Sequence, residues 1–210
     1  MTDSNYTHIA LVADRSGSMA SIDADMNGAI KEFFTAQGKE PGTLKVDITV
    51  FDDRADLVLT DGTVDQVVHP VIRPRGMTAL NDALGLTIDR LGKRLSSLAE
   101  EDRPGKVIVL VVTDGGENSS REYTAERVKA LVETQQNEYS WEFVFLGANI
   151  DAFTVGAQYG FAQGSTIQYV ANAAGANSVI ASASAYVTRT RSGLSTEFTE
   201  EERTASNLTV

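Results

Sequence analysis

The chain has 210 residues, a formal net charge of −11 from 29 acidic and 18 basic side chains, and no cysteine. Its length suits one α/β domain with a self-sufficient core and a short extension, and the missing cysteines exclude disulfides, thiolate zinc sites and a cysteine nucleophile together. The acidic balance disfavours binding along a phosphate backbone, so nucleic acid is not an expected partner.

Residues 8–13 are a short, wholly apolar run followed by Gly and Ser, the pattern of a parallel strand covered on both faces. From 18 to 37, Ile22, Met26, Ala29, Ile30, Phe33 and Phe34 recur every three or four positions with Gly38 just beyond, which predicts an amphipathic helix. Residues 44–51 alternate and are rich in β-branched types, and Asp52-Asp53-Arg54 turns the chain into a second strand over 55–60, so the two read as a hairpin. Pro70 and Pro74 mark the stretch up to Gly76 as surface loop. Leu80, Ala83, Leu84, Ile88, Leu91 and Leu95 line one side of a helix over 79–98, and Pro104-Gly105 reads as loop before the apolar run at 107–112. A helix over 123–136, a strand over 141–146, a short helix over 151–159 capped by Asp151, an edge-like strand over 166–170 and a small-residue helix over 177–190 follow. Strands alternating with helices predict a doubly wound α/β sheet. The end, 192–210, contains the run 195–203, which carries capping signals with Phe198 as its one large apolar residue, and reads as a C-terminal tail in preference to a docking segment.

No run approaches the roughly 18 apolar residues of a membrane span. No basic segment followed by an apolar one opens the chain, so a cytoplasmic protein is expected.

Asp14-Arg15-Ser16-Gly17-Ser18 follows the first strand directly, putting a carboxylate and two hydroxyls where open α/β sheets bind ligands. The Asp-x-Ser-x-Ser spacing offers oxygen alone, which suits a hard divalent cation such as Mg²⁺ over zinc or copper. Taken alone the motif reads equally well as a helix cap. Two further segments add oxygens at the same sheet edge: Thr78 after Arg75-Gly76-Met77, and Asp114 with Gly115-Gly116 after the run at 107–112.

With these three segments the chain resembles the von Willebrand factor type A domain, over about residues 8–191. The metal-ion-dependent adhesion site of that family is built from Asp-x-Ser-x-Ser, a distant Thr and a distant Asp, in that order. The resemblance implies a Rossmann-like, mostly parallel six-stranded sheet with helices on both faces and one antiparallel edge strand at 55–60, in a domain over 1–191 with 192–210 appended. It implies that Ser16, Ser18 and Thr78 give hydroxyl oxygens to Mg²⁺, with Mn²⁺ or Ca²⁺ as substitutes, while Asp14 and Asp114 act directly or through water. It further implies a protein partner whose Asp or Glu completes the coordination. Met77 stands where the family more often has a second glycine.

Catalysis has little support in the residues. There is no phosphate-binding loop and no Gly-x-Ser-x-Gly elbow, and Ser16 stands where aspartyl phosphatases carry a second aspartate, which makes a Mg²⁺-dependent phosphohydrolase the weakest reading. His8 and His69 read as packing or surface residues, so no catalytic residue is expected. A structural subunit of a larger assembly, such as a phage virion component, is the alternative to metal-dependent recognition. Among neighbouring polar residues, Arg15 and Arg75 read as solvated, Asp52-Asp53 as turn chemistry with a second cation as the alternative, Glu117-Asn118 as the start of a surface loop, and Asp151 as a cap.

Overall fold

The computed structural model describes residues 1–207. Six strands, β1 (Asp3–Asp14), β2 (Thr43–Phe51), β3 (Ala55–Gly62), β4 (Pro104–Thr113), β5 (Glu142–Ala148) and β6 (Thr166–Tyr169), form one sheet in the order β3-β2-β1-β4-β5-β6. Only β3 runs antiparallel, against β2, and every other neighbouring pair is parallel. The doubly wound sheet with one antiparallel edge is therefore the architecture adopted.

Six α-helices cover it: α1 (Asp23–Gln37), α2 (Leu80–Ser96), α3 (Ala125–Tyr139), α4 (Ala152–Gln158), α5 (Ala173–Arg191) and α6 (Glu200–Ser206). Side chains alternate along a strand, so each strand feeds two cores. Ile9, Leu11 and Ala13 of β1 pack with α1 and α5 on one face, while Ala10 and Val12 pack with α2 and α3 on the other. No helix among the described residues is long and apolar enough to cross a membrane.

Three elements differ from the sequence expectation for local reasons. The first helix is interrupted: a 3-10 turn, Gly17–Ser21, precedes α1, because the chain must first carry Ser16 and Ser18 across the sheet edge before Ile22 (φ −131°) redirects it. Pro104 and Gly105 belong to β4, where a proline is tolerated as the first residue because its missing N–H lies outside the ladder. The helix α5 starts four residues early, since Asn172 caps it by accepting from the Gly175 amide at 2.7 Å.

The stretch after α5 is packed through Asn207. Phe198 is buried with its ring 4.9 Å from that of Tyr186, Arg189 pairs with Glu202 at 2.7 Å, and Arg203 donates to the Thr166 carbonyl at 2.7 Å, so α6 lies against β6. Residues 208–210 of the predicted extension lie outside the described residues.

One buried polar network ties α2 to the middle of the sheet. Asp47 on β2 accepts from Arg94 Nη2 with both oxygens at 2.9 Å, and its Oδ1 also accepts from the Asp61 amide at 2.7 Å and lies 3.2 Å from His8 Nε2. Burial pushes the Asp47 acid up, but the His8 and Asp61 hydrogen bonds and Arg94 outweigh it and hold the carboxyl below its ordinary range. A depressed folded pKa means a contribution that is complete above the unfolded value near ~4 and is lost as pH falls through the folded one. Asp47→Asn should lower urea stability by about 3 kcal/mol at pH 7, because the Arg94 charge is left without its partner. The gap to wild type should close below about pH 4, and a gap of the same size at pH 3 would refute the ion-pair account.

Candidate metal centre

The strand register builds the site. Ala13 pairs with Val112 across β1 and β4, and Asp14 pairs with Phe51 across β1 and β2, so Asp14, Asp52 and the Thr113-Asp114 pair leave the same edge of the sheet. β1 and β4 are also where the winding reverses, with β2 and β3 on one side and β5 and β6 on the other. Ligands in open α/β sheets sit in the crevice at such a reversal.

Asp14 is buried, its Oδ1 accepting from the Ser16 amide at 2.7 Å and its Oδ2 from the Thr113 hydroxyl at 2.6 Å. Ser16 Oγ lies 3.0 Å from Ser18 Oγ, which donates to Asp114 Oδ1 at 2.6 Å. Thr78 reaches the group from the loop before α2: a Cβ placed on Gly115 would meet Thr78 Oγ1 at 3.5 Å and Ser18 Oγ at 3.8 Å. All five residues singled out from the sequence thus converge, four through direct hydrogen bonds and Thr78 by facing the same glycine. The hairpin side is different. Asp52 Oδ2 receives Arg15 Nε at 2.9 Å and Arg75 Nε at 2.5 Å, and Asp53 Oδ1 receives the Met77 amide at 3.1 Å. Arg15 and Arg75 are ion-paired there and not free, and Asp52, which a second cation would share with Asp53, is already held by both guanidinium groups.

The two carboxylates at the reversal have no such partner. Among the described residues neither Asp14 nor Asp114 takes part in a salt bridge, and Asp114 Oδ2 is buried with no hydrogen bond. Burial pushes the Asp14 acid up to about 6 against the hydrogen bonds from Thr113 and Ser16, with the Asp114 charge adding to the rise. Asp114 is raised too, by burial, although the Ser18 hydrogen bond opposes it. Burial and these two charges likewise push up the hydroxyl of Tyr169, whose oxygen lies 3.4 Å from the Thr113 carbonyl beneath the site.

This donor set fits a hard divalent cation. It is all oxygen, it includes one buried acceptor with no partner, and the Ser16 to Ser18 separation of 3.0 Å matches the edge of an octahedron with arms of about 2.1 Å. Four contributors escaped the sequence reading. Thr113 was indistinguishable from the strand it ends. Asn118 exchanges bonds with Thr78, accepting from its amide at 2.9 Å and donating its own amide to the Thr78 carbonyl at 3.0 Å. Glu117 caps α2 at the Asn81 amide, 2.8 Å away, and Tyr169 underlies the site. A polar run directly after an apolar strand was the only signal available for Glu117 and Asn118. Asp151 is the cap it was read to be, accepting from the Thr154 amide at 3.1 Å.

A raised acid pKa has a signed consequence. The Asp14 contribution to stability is complete below the unfolded value near ~4 and is lost as pH rises through about 6, so above that pH the metal-free protein carries a buried charge at a cost. In EDTA, Asp14→Asn should therefore be more stable than wild type by about 2 kcal/mol at pH 7.5, with the difference fading toward pH 4. The amide still accepts from Ser16, and Thr113 can turn its hydroxyl to the Gly115 carbonyl 3.0 Å away. Urea melts across that pH range check it, and a variant less stable than wild type at pH 7.5 would refute the cost.

No protein-family model and no curated protein sequence matches the chain. Solved structures do. The proximal thread matrix protein 1 of the mussel byssus, in a structure with a zinc-occupied MIDAS motif, superposes with a TM-score of 0.61 at 16% identity, over 87% of this chain and 46% of that one. The manganese-loaded TRAP protein of Plasmodium vivax gives 0.56 at 15%, over 83% and 71%. The ArnB paralog VWA2 of Sulfolobus acidocaldarius gives 0.51 at 13%, over 82% and 43%. The chain spans about half the length of the mussel protein. Sheet order, the single antiparallel edge and these superpositions agree that the chain has the von Willebrand factor type A fold.

Proposed function

We propose that this domain recognises a protein partner through a divalent cation held at the strand reversal, Mg²⁺ by preference and Mn²⁺ or Ca²⁺ as substitutes. The observation that carries the reading is the pair of buried carboxylates, Asp14 and Asp114, that no basic side chain among the described residues neutralises. Ser16, Ser18 and Thr78 would hold the cation through neutral oxygens, with Asp14 and Asp114 beside them. A bound cation supplies concentrated positive charge at the protein surface, which attracts an Asp or Glu side chain of a partner. Ser18 is exposed and Gly116 presents no side chain, so an incoming group has access. The mussel and Plasmodium proteins, described with zinc and manganese respectively, lend support as proteins of the same fold.

Recognition without catalysis is the companion reading. His8 lies six residues back along β1 from Asp14, about 20 Å away at strand spacing, and is fully buried beside Asp47. No histidine and no lysine is hydrogen-bonded to the five site residues among the described residues.

The test begins with the cation. A ligand at a hundred times its Kd stabilises the folded state by about 2.7 kcal/mol, so Mg²⁺ or Mn²⁺ should raise the melting temperature over EDTA in wild type and not in Ser16→Ala or Thr78→Ala. A melting temperature indifferent to every divalent cation tried would end the proposal. A pull-down from the native host lysate in Mg²⁺ and in EDTA, with Ser16→Ala as control, then addresses the partner. A protein kept only by wild type in Mg²⁺ supports metal-mediated recognition, whereas one kept regardless favours the structural-subunit alternative, cytoplasmic or virion.

A further inference from the structure

We propose that Asp52 is a positioning residue for the cation site, and that the Arg15–Asp52–Arg75 cluster sets the spacing between the Asp14–Ser18 loop and Thr78. The inference rests on the reading of that site as a cation site. Asp52 grips both loops at once. One of its carboxylate oxygens receives Nε of Arg15 at 2.9 Å and Nε of Arg75 at 2.5 Å, and its carbonyl receives the Ala79 amide at 2.8 Å. Arg15 lies between Asp14 and Ser16, and Arg75 and Ala79 flank Thr78. One turn residue therefore touches the chain inside the Asp-x-Ser segment and on each side of the threonine.

Main-chain bonds carry the same geometry. The Arg75 amide donates to the Arg15 carbonyl at 2.7 Å and the Gly17 amide to the Gly76 carbonyl at 3.1 Å, so the two loops run against each other where the guanidinium groups meet Asp52. Gly76 has φ +68°, and a Cβ there would meet the Asp53 carboxylate, so the loop has little freedom to reach this arrangement another way. The cluster also differs in kind from the site it borders. Burial pushes the Asp52 acid up, but the Arg75 and Arg15 hydrogen bonds outweigh it and hold the carboxyl below its ordinary range, so Asp52 stays charged and paired while Asp14 and Asp114 stay unpaired. Groups that orient ligating side chains from outside contribute to metal affinity without touching the ion.

For the two arginines, positioning and simple electrostatics predict opposite signs, so the arginine variants decide the test. Removing the Arg75 charge should tighten cation binding if only long-range charge matters, and weaken it if the clamp sets donor spacing. By isothermal titration with Mg²⁺ and Mn²⁺, Arg75→Gln, Arg15→Gln and Asp52→Asn should each bind about 10-fold more weakly than wild type. Asp47→Asn, which loses a buried ion pair on β2 away from the site, should melt lower in EDTA yet bind the cation as wild type does. Arg75 is more than half exposed, so Arg75→Gln carries the test even if Arg15→Gln fails to fold. If Arg75→Gln binds as tightly as wild type or tighter, the positioning role is overturned while the cation site stands. If wild type itself gives no binding with either metal, both fall together.

Discussion

Two carboxylates at the end of adjacent parallel strands, buried and without a counter-charge, are the constraint around which this edge of the domain is arranged. Among the described residues four aspartates are buried in the strands or just after them, Asp14, Asp47, Asp52 and Asp114, and they are treated in two ways. Asp47 and Asp52 are each met by arginine, and their acids lie below the ordinary range. Asp14 and Asp114 are met by hydroxyls and an amide, and their acids lie above it. Hydrogen bonds from neutral donors soften the desolvation of a buried anion without cancelling its charge, so the second pair is destabilising in the absence of a positive ligand. Paired and unpaired carboxylates stand next to each other in space, since Asp52 follows the residue that pairs with Asp14. Arginine is thus available at this edge and is directed to Asp52 and away from Asp14, so the two raised acids are not left unpaired for want of a nearby base.

Topology explains why the unpaired pair sits where it does. β1 and β4 are the two central strands, they leave the sheet in the same direction, and the chain winds away from them to opposite sides. The loop after β1, with its 3-10 turn at Gly17–Ser21, meets the end of β4 through Ser18 and Asp114, and the loop that delivers Thr78 reaches the same place. The apolar interior beneath, with Ala13, Val112 and Tyr169 all buried, supplies the low dielectric that raises both acids. Stability is supplied elsewhere, by the two cores on either face and by the Asp47–Arg94 lock in the body of the sheet.

How much of this was legible in the sequence depended on range. β1 and β4 could be read because each is an apolar run with a polar stop, and the motif could be read because its acids and hydroxyls follow those stops at once. Helix periodicity located α1 and α2 within a few residues. The break between Ser18 and Asp23 was not legible, because Ile22 fits the helical apolar period although its backbone leaves the helix. Arg15 and Asp52, 37 positions apart, were not legible as partners, because no local pattern encodes their pairing, whereas Ser18 and Asp114, 96 apart, came together in the sequence only through the three segments and the family resemblance they carry. The packing of the stretch after α5 was undervalued for the same reason, since Phe198 finds Tyr186 only once α5 is in place.

The site's donors also explain how a cation could enter without a large conformational cost. Ser16, Ser18 and Thr113 hydrogens are rotors, and at present Ser18 and Thr113 spend theirs on Asp114 and Asp14. A hydroxyl can turn its hydrogen away and present a lone pair by rotation about one bond. The backbone beneath them is fixed by the amide of Ser16 on Asp14, the Gly17 amide on Gly76 and the exchange between Thr78 and Asn118, none of which involves a rotor. Three loops separated by some 60 and 36 positions (Ser18 to Thr78, then Thr78 to Asp114) are thus tied before any ligand arrives. Ordering three loops only at the moment of binding would consume about 1 kcal/mol or more per residue fixed, a cost these ties remove for any ligand the edge takes.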